Sequence, residues 1–412
     1  MKRLPRIYRT GRDHYSHVIA ASCFGIQAIG IGTYASFGVL FHPLITEFGW
    51  SRATIAGASS IAFFLMGLLG MVVGRLNDRI GPRKLMTGTA VCFGLGCFLM
   101  SRLETVWQLY IFWGIIFGVG LSSIDVIAMT TTARWFVKKR GMVTGIVKVG
   151  SGAGQMVIPF LMSLLIIRLG WRNACAIIGI SVMTVLVVIA QMMRRDPGVM
   201  GLLPDANELA ESKDAPLAAE GLSRCEAVNT RSFWIICSAN LLLCFSLMAI
   251  MVHIVPFAIE IKIPTTQAAG VLATIGGVSM AGRFASGLAI DRIGSQRVMM
   301  VCAMLLITAL LWLQIATTPW MLYLFAAIYG VALGGCFTAV SPLVAELFGI
   351  KSHGALFGIV AFIGTLGGAV GPFLTGSIFD FTGRYGPAIW ICVLMSVLGF
   401  VLISMLKPVP KK

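Results

Sequence analysis

The sequence predicts an all-α membrane protein with twelve transmembrane helices in two pseudo-symmetric bundles of six. Three observations support this fold: an apolar composition, twelve segments long enough to span a bilayer, and an internal repeat. Of the 412 residues, 58% are hydrophobic and only 12% are charged, and the mean hydropathy is +0.90. Soluble domains carry about 25% charged residues, so the composition argues against a soluble enzyme or binding module.

Twelve apolar segments give the predicted helices, because about 20 residues cross the hydrocarbon core of a bilayer. The predicted spans are 17–41, 52–74, 85–101, 105–133, 141–167, 171–193, 232–258, 266–290, 298–316, 319–347, 354–379 and 386–406. They divide the chain into an N-terminal bundle (1–193), a polar cytoplasmic linker (194–230) that we expect to be partly flexible, and a C-terminal bundle (231–412). We expect no cleavable signal peptide, because the first apolar segment is itself of spanning length.

The net charge of +16 is interpreted as a topology signal rather than as a nucleic-acid-binding surface. With the N-terminus inside, most lysines and arginines fall on the cytoplasmic flanks of the spans. The outer flanks carry Arg52, Arg102, Arg168, Arg172, Lys262 and Arg384. This bias places both termini in the cytoplasm of a multi-pass protein, which we expect in a bacterial inner membrane, with lipid and not nucleic acid as its partner.

Motifs for catalysis or metal binding are not found in the sequence. The ten cysteines have neither metal-ligand spacing nor a disulfide framework, and all but Cys225 fall in predicted helices. No Walker motif or nucleophile elbow occurs, so we expect no enzyme activity, no cofactor and no metal site. The sequence carries no indication of the oligomeric state.

The second half of the chain repeats the first at an offset of 213 residues. Gly-Arg-Leu-Asn-Asp-Arg-Ile-Gly at 74–81 aligns with Gly-Leu-Ala-Ile-Asp-Arg-Ile-Gly at 287–294. At the same offset, Pro-Phe-Leu at 159–161 aligns with Pro-Phe-Leu at 372–374. Duplication of six-helix halves is typical of secondary transporters.

The charged turn in each repeat predicts a conformational gate at the cytoplasmic helix ends. Gly74 and Gly287 allow helices to approach closely, and Asp78 and Asp291 can cap a neighbouring helix or pair with arginine. The other residues of this gating motif are Arg79, Gly81, Arg83 and Arg292. The alternative is that these charges only set the topology.

Arg283 stands near the centre of the predicted eighth helix, with apolar or small residues on both sides. A charge at this depth costs at least ~2.5–3.5 kcal/mol on insertion scales, so it usually faces protein or water and marks a functional site. Because a guanidinium suits bidentate carboxylate binding, Arg283 is the first candidate for substrate binding. The alternative is a structural arginine paired with a neighbouring acid.

Five further residues complete the candidate site. Lys148 in the fifth helix either binds a second carboxylate or forms a structural ion pair with Asp125 of the fourth helix. Asp125 and His253 are the candidate proton carriers; their alternatives are a fixed partner of Lys148 and a packing histidine. Tyr34 and Tyr329 can donate hydroxyls to a carboxylate, or they can be ordinary packing aromatics.

The motif Gly-x-Leu-x-Asp-Arg-x-Gly-Pro-Arg-Lys at 74–84 resembles the signature of the major facilitator superfamily, and the weaker copy at 287–297 fits it too. This resemblance covers essentially the whole chain and implies the fold of that superfamily. Within it, the segment 135–154 resembles the fifth-helix entrance of the monocarboxylate porters and of the bacterial oxalate/formate antiporters.

The eighth helix resembles the same branch, since Gly282-Arg283 precedes the second copy of the motif. The resemblance implies that Arg283 binds a substrate carboxylate. Two positions depart from the branch. Ser279 stands where animal monocarboxylate porters carry an aspartate, and 360–379 lacks the basic residue of oxalate-type antiporters.

These observations predict a secondary transporter of small organic anions that works by alternating access. We favour proton symport of a monocarboxylate such as lactate or pyruvate, in which Arg283 holds the carboxylate, Asp125 or His253 carries the proton and Lys148 tunes the charge. The rivals are a dicarboxylate (oxalate-like) antiporter or uniporter, an exporter of apolar drugs, and a membrane sensor without transport activity.

Overall fold

The predicted all-α fold is confirmed by the computed structural model, which describes residues 7–197 and 221–406. In this part of the chain, twelve helices are long and apolar enough to cross a membrane. The basic segment 1–6 and most of the predicted linker, 198–220, lie outside the described residues. The expected flexibility of that linker therefore stays a prediction.

The helices extend beyond the predicted spans at many of their ends, because helical turns continue where the side chains become polar. Their bounds are α1 Ile7–Phe48, α2 Arg52–Ile80, α3 Pro82–Leu99, α4 Val106–Trp135, α5 Arg140–Leu169, α6 Trp171–Met192, α7 Arg231–Glu260, α8 Thr265–Ile293, α9 Ser295–Ile315, α10 Pro319–Phe348, α11 His353–Thr382 and α12 Gly386–Ser404. A short helix, Arg224–Val228, precedes α7.

Single glycines separate three of the helix pairs. Gly81, Gly170 and Gly294 have φ angles of 84°, 78° and 86° and lie between α2 and α3, α5 and α6, and α8 and α9. Residues with a Cβ are strained in this region of backbone space. A one-residue break between long helices is therefore possible only because glycine occupies it.

The helix α4 changes its winding near its beginning, where Tyr110–Phe117 is π-helical. Trp113 in this segment is fully buried and stacks on Phe117 and on Phe37 of α1, with ring centroids 4.0 and 4.6 Å apart. The π-helical segment thus carries an aromatic core that ties α4 to α1.

The described residues form two compact units. Unit 1 contains the described residues of 1–139 and 147–221, together with 350–358. Unit 2 contains 140–146, 222–349 and the described residues of 359–412. The beginning of α5 therefore belongs to unit 2 and the beginning of α11 to unit 1. The predicted bundle boundaries at 193 and 231 stay a prediction.

The ends of α1, α3 and α6 are joined in unit 1 by a polar cluster. Glu47 accepts hydrogen bonds from the Trp171 indole (2.6 Å) and the Arg172 guanidinium (2.7 Å). Arg172 also donates to the carbonyl oxygens of Ser101 and Leu103, which follow α3. Arg172, which we interpreted only as a topology residue, therefore fastens three helix ends together.

The internal repeat is visible in the packing within each unit. In unit 1, Gly154 of α5 lies directly against the Ala28 carbonyl of α1. In unit 2, Gly367 of α11 lies against the Leu241 carbonyl of α7, and these are the same two positions displaced by the repeat offset. A Cβ on either glycine would overlap a backbone oxygen, so both helix pairs require the small residue.

We expect Gly154→Ala to lower the stability of the protein, because its methyl group would collide with the backbone of α1. Overpacking of this kind costs roughly 1–3 kcal/mol. Thermal unfolding of the purified protein in detergent measures the effect. The matched control is Gly38→Ala in α1, where no atom lies within 4 Å of the added methyl group. An unchanged Tm for Gly154→Ala would contradict the close contact.

Candidate functional site

Asp125 and Lys148 form an ion pair inside unit 1. Asp125 projects from α4 and Lys148 from α5, and the Lys148 ammonium contacts Asp125 Oδ1. Gln27 of α1 donates its side-chain amide to the same oxygen at 2.7 Å. Lys148 and Gln27 are 8% and 1% exposed, whereas the Asp125 side chain keeps 29% exposure. The structure therefore brings together two predicted site residues and adds Gln27.

The second repeat replaces this acid–base cluster with neutral residues. The positions equivalent to Gln27, Asp125 and Lys148 are Asn240, Thr338 and Ala361. In unit 2, Asn240 donates to the Val360 carbonyl at 3.0 Å, and Thr338 donates to a carbonyl of its own helix. The Asp125–Lys148 pair is thus a feature that only the first half of the chain carries.

Arg283 lies about two thirds of the way along α8 and is half-buried in unit 2. Two glycines make room for it. A Cβ at Gly334 of α10 would lie 2.8 Å from the Arg283 nitrogen, and a Cβ at Gly145 would lie 2.6 Å from the Arg283 carbonyl oxygen. Ser279, one turn before, donates to the carbonyl of Gly276 in its own helix. The arginine is therefore held by close backbone packing on two sides.

The two predicted tyrosines have different surroundings. Tyr329 is fully buried in α10, and its hydroxyl donates to the Leu247 carbonyl of α7. Because this bond uses the only hydroxyl proton, Tyr329 has the environment of a packing residue rather than of a substrate donor. Tyr34 is half-buried in α1 and accepts a hydrogen bond from Ser59 of α2 at 3.1 Å, so its own hydroxyl proton can still be donated.

His253 of α7 uses both ring nitrogens in unit 2. Nε2 lies 3.0 Å from the Pro372 carbonyl of α11, and Nδ1 lies 3.2 Å from the Tyr385 hydroxyl. A carbonyl only accepts, so Nε2 donates to it, and in the neutral ring Nδ1 accepts from the Tyr385 hydroxyl. Burial raises the pKa of Tyr385, and Glu260 and Asp380 raise it further, so this hydroxyl keeps its proton.

A small, mainly apolar cavity adjoins this histidine. Ile250, Phe257, Thr375 and Ile389 are among its lining residues, together with His253. Its size is comparable to that of a single water molecule, which is too small for an organic anion. Among the described residues, no group of three or more histidine, cysteine or acidic side chains could hold a metal ion.

The first copy of the gating motif caps a helix in unit 1. Asp78, near the end of α2, accepts hydrogen bonds from the backbone nitrogens of Gly354 (3.3 Å) and Ala355 (3.0 Å) at the beginning of α11. The same carboxylate pairs with Arg134 of α4 at 2.7 Å, and Arg134 is 4% exposed. Asp196 lies 3.5 Å from Arg134 on its other side. Asp78 therefore has both of the roles that the sequence left open: it caps a helix and it pairs with an arginine.

The second copy caps the equivalent helix in unit 2. Asp291, near the end of α8, accepts hydrogen bonds from the backbone nitrogens of Gly141 (2.6 Å) and Met142 (2.8 Å) at the beginning of α5. Gly74 and Gly287 pack against Gly354 and Gly141, respectively, which brings each carboxylate within reach of its helix. A carboxylate at a helix beginning is stabilised by the unpaired N–H groups there.

The other residues of the motif have different roles. Arg79 and Arg292 are exposed. Gly81 forms the break between α2 and α3, and Arg83 donates to the Gln191 side chain of α6 at 2.9 Å.

Three residues of these clusters, Arg134, Asp196 and Gln27, were not predicted from the sequence. Arg134 was counted among many cytoplasmic cations, and Asp196 fell in the predicted linker. Gln27 could have been found, because the repeat aligns it with Asn240 and so places a buried amide at one position in both halves.

We expect Asp78→Asn to destabilise the protein by more than the loss of a helix cap, which costs about 0.5–2 kcal/mol. The substitution also leaves the buried Arg134 with a single acid 3.5 Å away, and breaking a buried pair costs about 3–5 kcal/mol. Thermal unfolding of the variant and the wild type in detergent measures the loss; a loss no larger than that of a helix cap would show that the Arg134 pair adds nothing to the cap.

Comparisons with known proteins agree with the architecture. The MFS-type transporter 1 of Ophiocordyceps sp. is 28% identical over 76% of this chain and 66% of its own length, so the chain spans just under two thirds of that relative. Monocarboxylate transporter 7 of Homo sapiens is 22% identical over 95% of this chain and 86% of its own. The crystal structure of the E. coli fucose:proton symporter FucP superposes with a TM-score of 0.72 at 13% identity, covering 96% of this chain and 98% of that one.

The decisive comparison is with a whole family of membrane transporters. The sequence profile described as the Major Facilitator Superfamily matches residues 23–297 and again 236–412, which together include nearly all of the helices. The chain belongs to the Major Facilitator Superfamily, and it is an integral multi-pass membrane protein.

Proposed function

We propose that this transporter carries a small monocarboxylate, such as lactate or pyruvate, together with a proton by alternating access. The observation that carries the proposal is the ion pair between Asp125 and Lys148. It places an acid and a base in contact inside unit 1, where each balances the charge of the other. The naming of a human relative as a monocarboxylate transporter supports the same substrate class.

The charges of the pair explain how a proton and an anion would be coupled. With Asp125 ionised, the pair is neutral and Lys148 has a counter-ion. Protonation of Asp125 removes the negative charge of the pair, so the pair becomes positively charged, and a buried charge is costly. A bound carboxylate offsets that charge, so the proton and the anion each favour binding of the other.

Arg283 is the residue that we assign to the substrate carboxylate. Its guanidinium is planar and presents paired N–H groups, which match the two oxygens of a carboxylate. Backbone packing at Gly334 and Gly145 restricts how Arg283 can be displaced. Tyr34 is a further donor in this proposal, whereas Tyr329 is left out because its hydroxyl proton is already bound to the Leu247 carbonyl.

The gating motif supports alternating access in the proposal. Asp78 and Asp291 each bond two backbone nitrogens at the beginning of a helix. We propose that these caps hold one conformation of the transporter and are released in the other.

An oxalate-like dicarboxylate remains the second candidate substrate class. It would need Lys148 as a cation for its second carboxylate, and therefore requires Lys148 to leave Asp125. The curated relatives by sequence are mostly fungal and mammalian, so they give no support to a bacterial inner membrane, and that location stays a prediction.

We expect Arg283→Ala to abolish uptake of labelled lactate into proteoliposomes under an inward proton gradient. Arg283→Lys keeps the charge but loses the planar fork, so we expect uptake with a raised KM. The control is Arg384→Ala, which removes an exposed arginine in the loop before α12. Normal uptake by a correctly folded Arg283→Ala protein would refute the assignment. Excess unlabelled oxalate in the wild-type assay distinguishes the two substrate classes, since a monocarboxylate carrier is not inhibited by it.

The proton carrier is identified by comparing Asp125→Asn with His253→Gln. An uncharged residue at the carrier position cannot respond to a proton gradient, but it can still allow exchange of internal for external lactate at equal pH. We expect Asp125→Asn to lose the stimulation of uptake by the gradient and to retain exchange. We expect His253→Gln to keep the stimulation, because both ring nitrogens already bond within unit 2. The reverse pattern would assign the proton to His253.

A further inference from the structure

The two carboxylate oxygens of Asp125 differ in their hydrogen bonds. Lys148 and Gln27 both bond Oδ1. Among the described residues, no group donates a hydrogen bond to Oδ2 of Asp125, and the side chain is 29% exposed. A proton that arrives through water therefore finds two hydrogen-bond donors at Oδ1 and none at Oδ2.

We propose that Gln27 is a positioning residue for proton transfer, which holds Asp125 by Oδ1 so that the proton enters and leaves at Oδ2. This inference rests on the proposed function, in which Asp125 carries the proton. In the uptake step, a hydronium ion gives its proton to Oδ2: one of its O–H bonds breaks, an O–H bond forms at Oδ2, a water molecule leaves and the carboxylate becomes a neutral acid. In the release step, the O–H bond at Oδ2 breaks, and a water molecule takes the proton and leaves as hydronium.

Gln27 suits this task because its amide is neutral. When Asp125 is protonated, the ionic attraction to Lys148 is lost, and the ammonium can turn to a bound anion. The amide of Gln27 keeps a hydrogen bond to Oδ1 in both states, since a carboxylic acid retains an acceptor oxygen. The acid then stays in place while the lysine moves.

The second repeat shows what the same position does without a titratable partner. Asn240, the equivalent of Gln27, also donates across to another helix, but its acceptor is the Val360 backbone carbonyl. The two amides therefore share a packing role, and only Gln27 acts on a group that can change its charge. Asn240 is consequently a matched control for the loss of a buried interhelical amide.

The other charged groups on the helices packed against α4 lie towards the helix ends. Asp78 is the nearest one that contacts α4, and it does so at Arg134, nine residues or about 13 Å along the helix from Asp125. The remaining described side chains of these helices in unit 1 that are charged or can titrate, cysteines aside, make no hydrogen bond or ion pair with Asp125; they are Tyr15, His17, Tyr34, His42 and Glu47 on α1, Arg75 and Arg79 on α2, Arg83 and Lys84 on α3, and Arg168 on α5. Gln27 and Lys148 are thus the polar groups in direct contact with the acid.

The experiment measures lactate uptake into proteoliposomes as a function of external pH for Gln27→Met, Gln27→Glu and Asn240→Leu. Gln27→Met keeps the length of the side chain but removes the donor. The ionised form of Asp125 loses one hydrogen bond, so it binds a proton more readily, and the pH of half-maximal uptake should rise by roughly one pH unit. Gln27→Glu places a second carboxyl beside Asp125 and should raise the pH of half-maximal uptake at least as much.

Exchange at equal internal and external pH is measured for every variant, because it reports a folded carrier without net proton movement. We expect Asn240→Leu to keep the wild-type pH profile even if its Tm falls. An unshifted profile in both Gln27 variants, with gradient stimulation lost in Asp125→Asn, would overturn the positioning role and leave Asp125 as the carrier. An equal shift in Asn240→Leu would also overturn it. Stimulation retained in Asp125→Asn would reject the proton assignment itself.

Discussion

Compensation of buried charge is the constraint on which the arrangement of unit 1 depends. Asp125 is balanced by Lys148 and steadied by Gln27, and the nearly inaccessible Arg134 is balanced by Asp78. Each pair joins two different helices. The contacts that compensate the buried charges therefore also hold the helices together. A helix bundle in lipid gains little from apolar burial between helices, and these polar contacts therefore have a large share in fixing which helices are neighbours.

The first residues of α3 and α9 are equivalent in the repeat, but different residues deal with the backbone nitrogen at the two positions. The break before α3 is followed by Pro82, which has no backbone N–H to satisfy. The equivalent residue of α9, Ser295, does have one, and Glu346 of α10 accepts from both its nitrogen (3.2 Å) and its hydroxyl (2.7 Å). The position equivalent to Glu346 in the first half is Ala133. An acid is thus present only where there is an N–H to bind.

The architecture could be predicted from the sequence, because hydropathy and the repeat can be read from the order of the residues alone. Arg283, Asp125 and Lys148 could be selected as candidates, since charges stand out against an apolar background, and their roles in transport stay a prediction. The partner of Asp78 could not be predicted, because the sequence separation between Asp78 and Arg134 says nothing about their 2.7 Å contact. The packing role of Tyr329 could not be predicted either, because helix periodicity does not show which neighbouring group accepts a hydrogen bond from its hydroxyl.

The neutrality of the Asp125–Lys148 pair has a consequence for the energetics of the empty transporter. A single elementary charge that crosses a membrane potential gains or loses about 2.3 kcal/mol per 100 mV. A salt bridge that moves as one unit carries no net charge through the membrane field, so the voltage acts only on its dipole. The resting pair therefore adds no net gating charge of its own when the empty protein changes conformation.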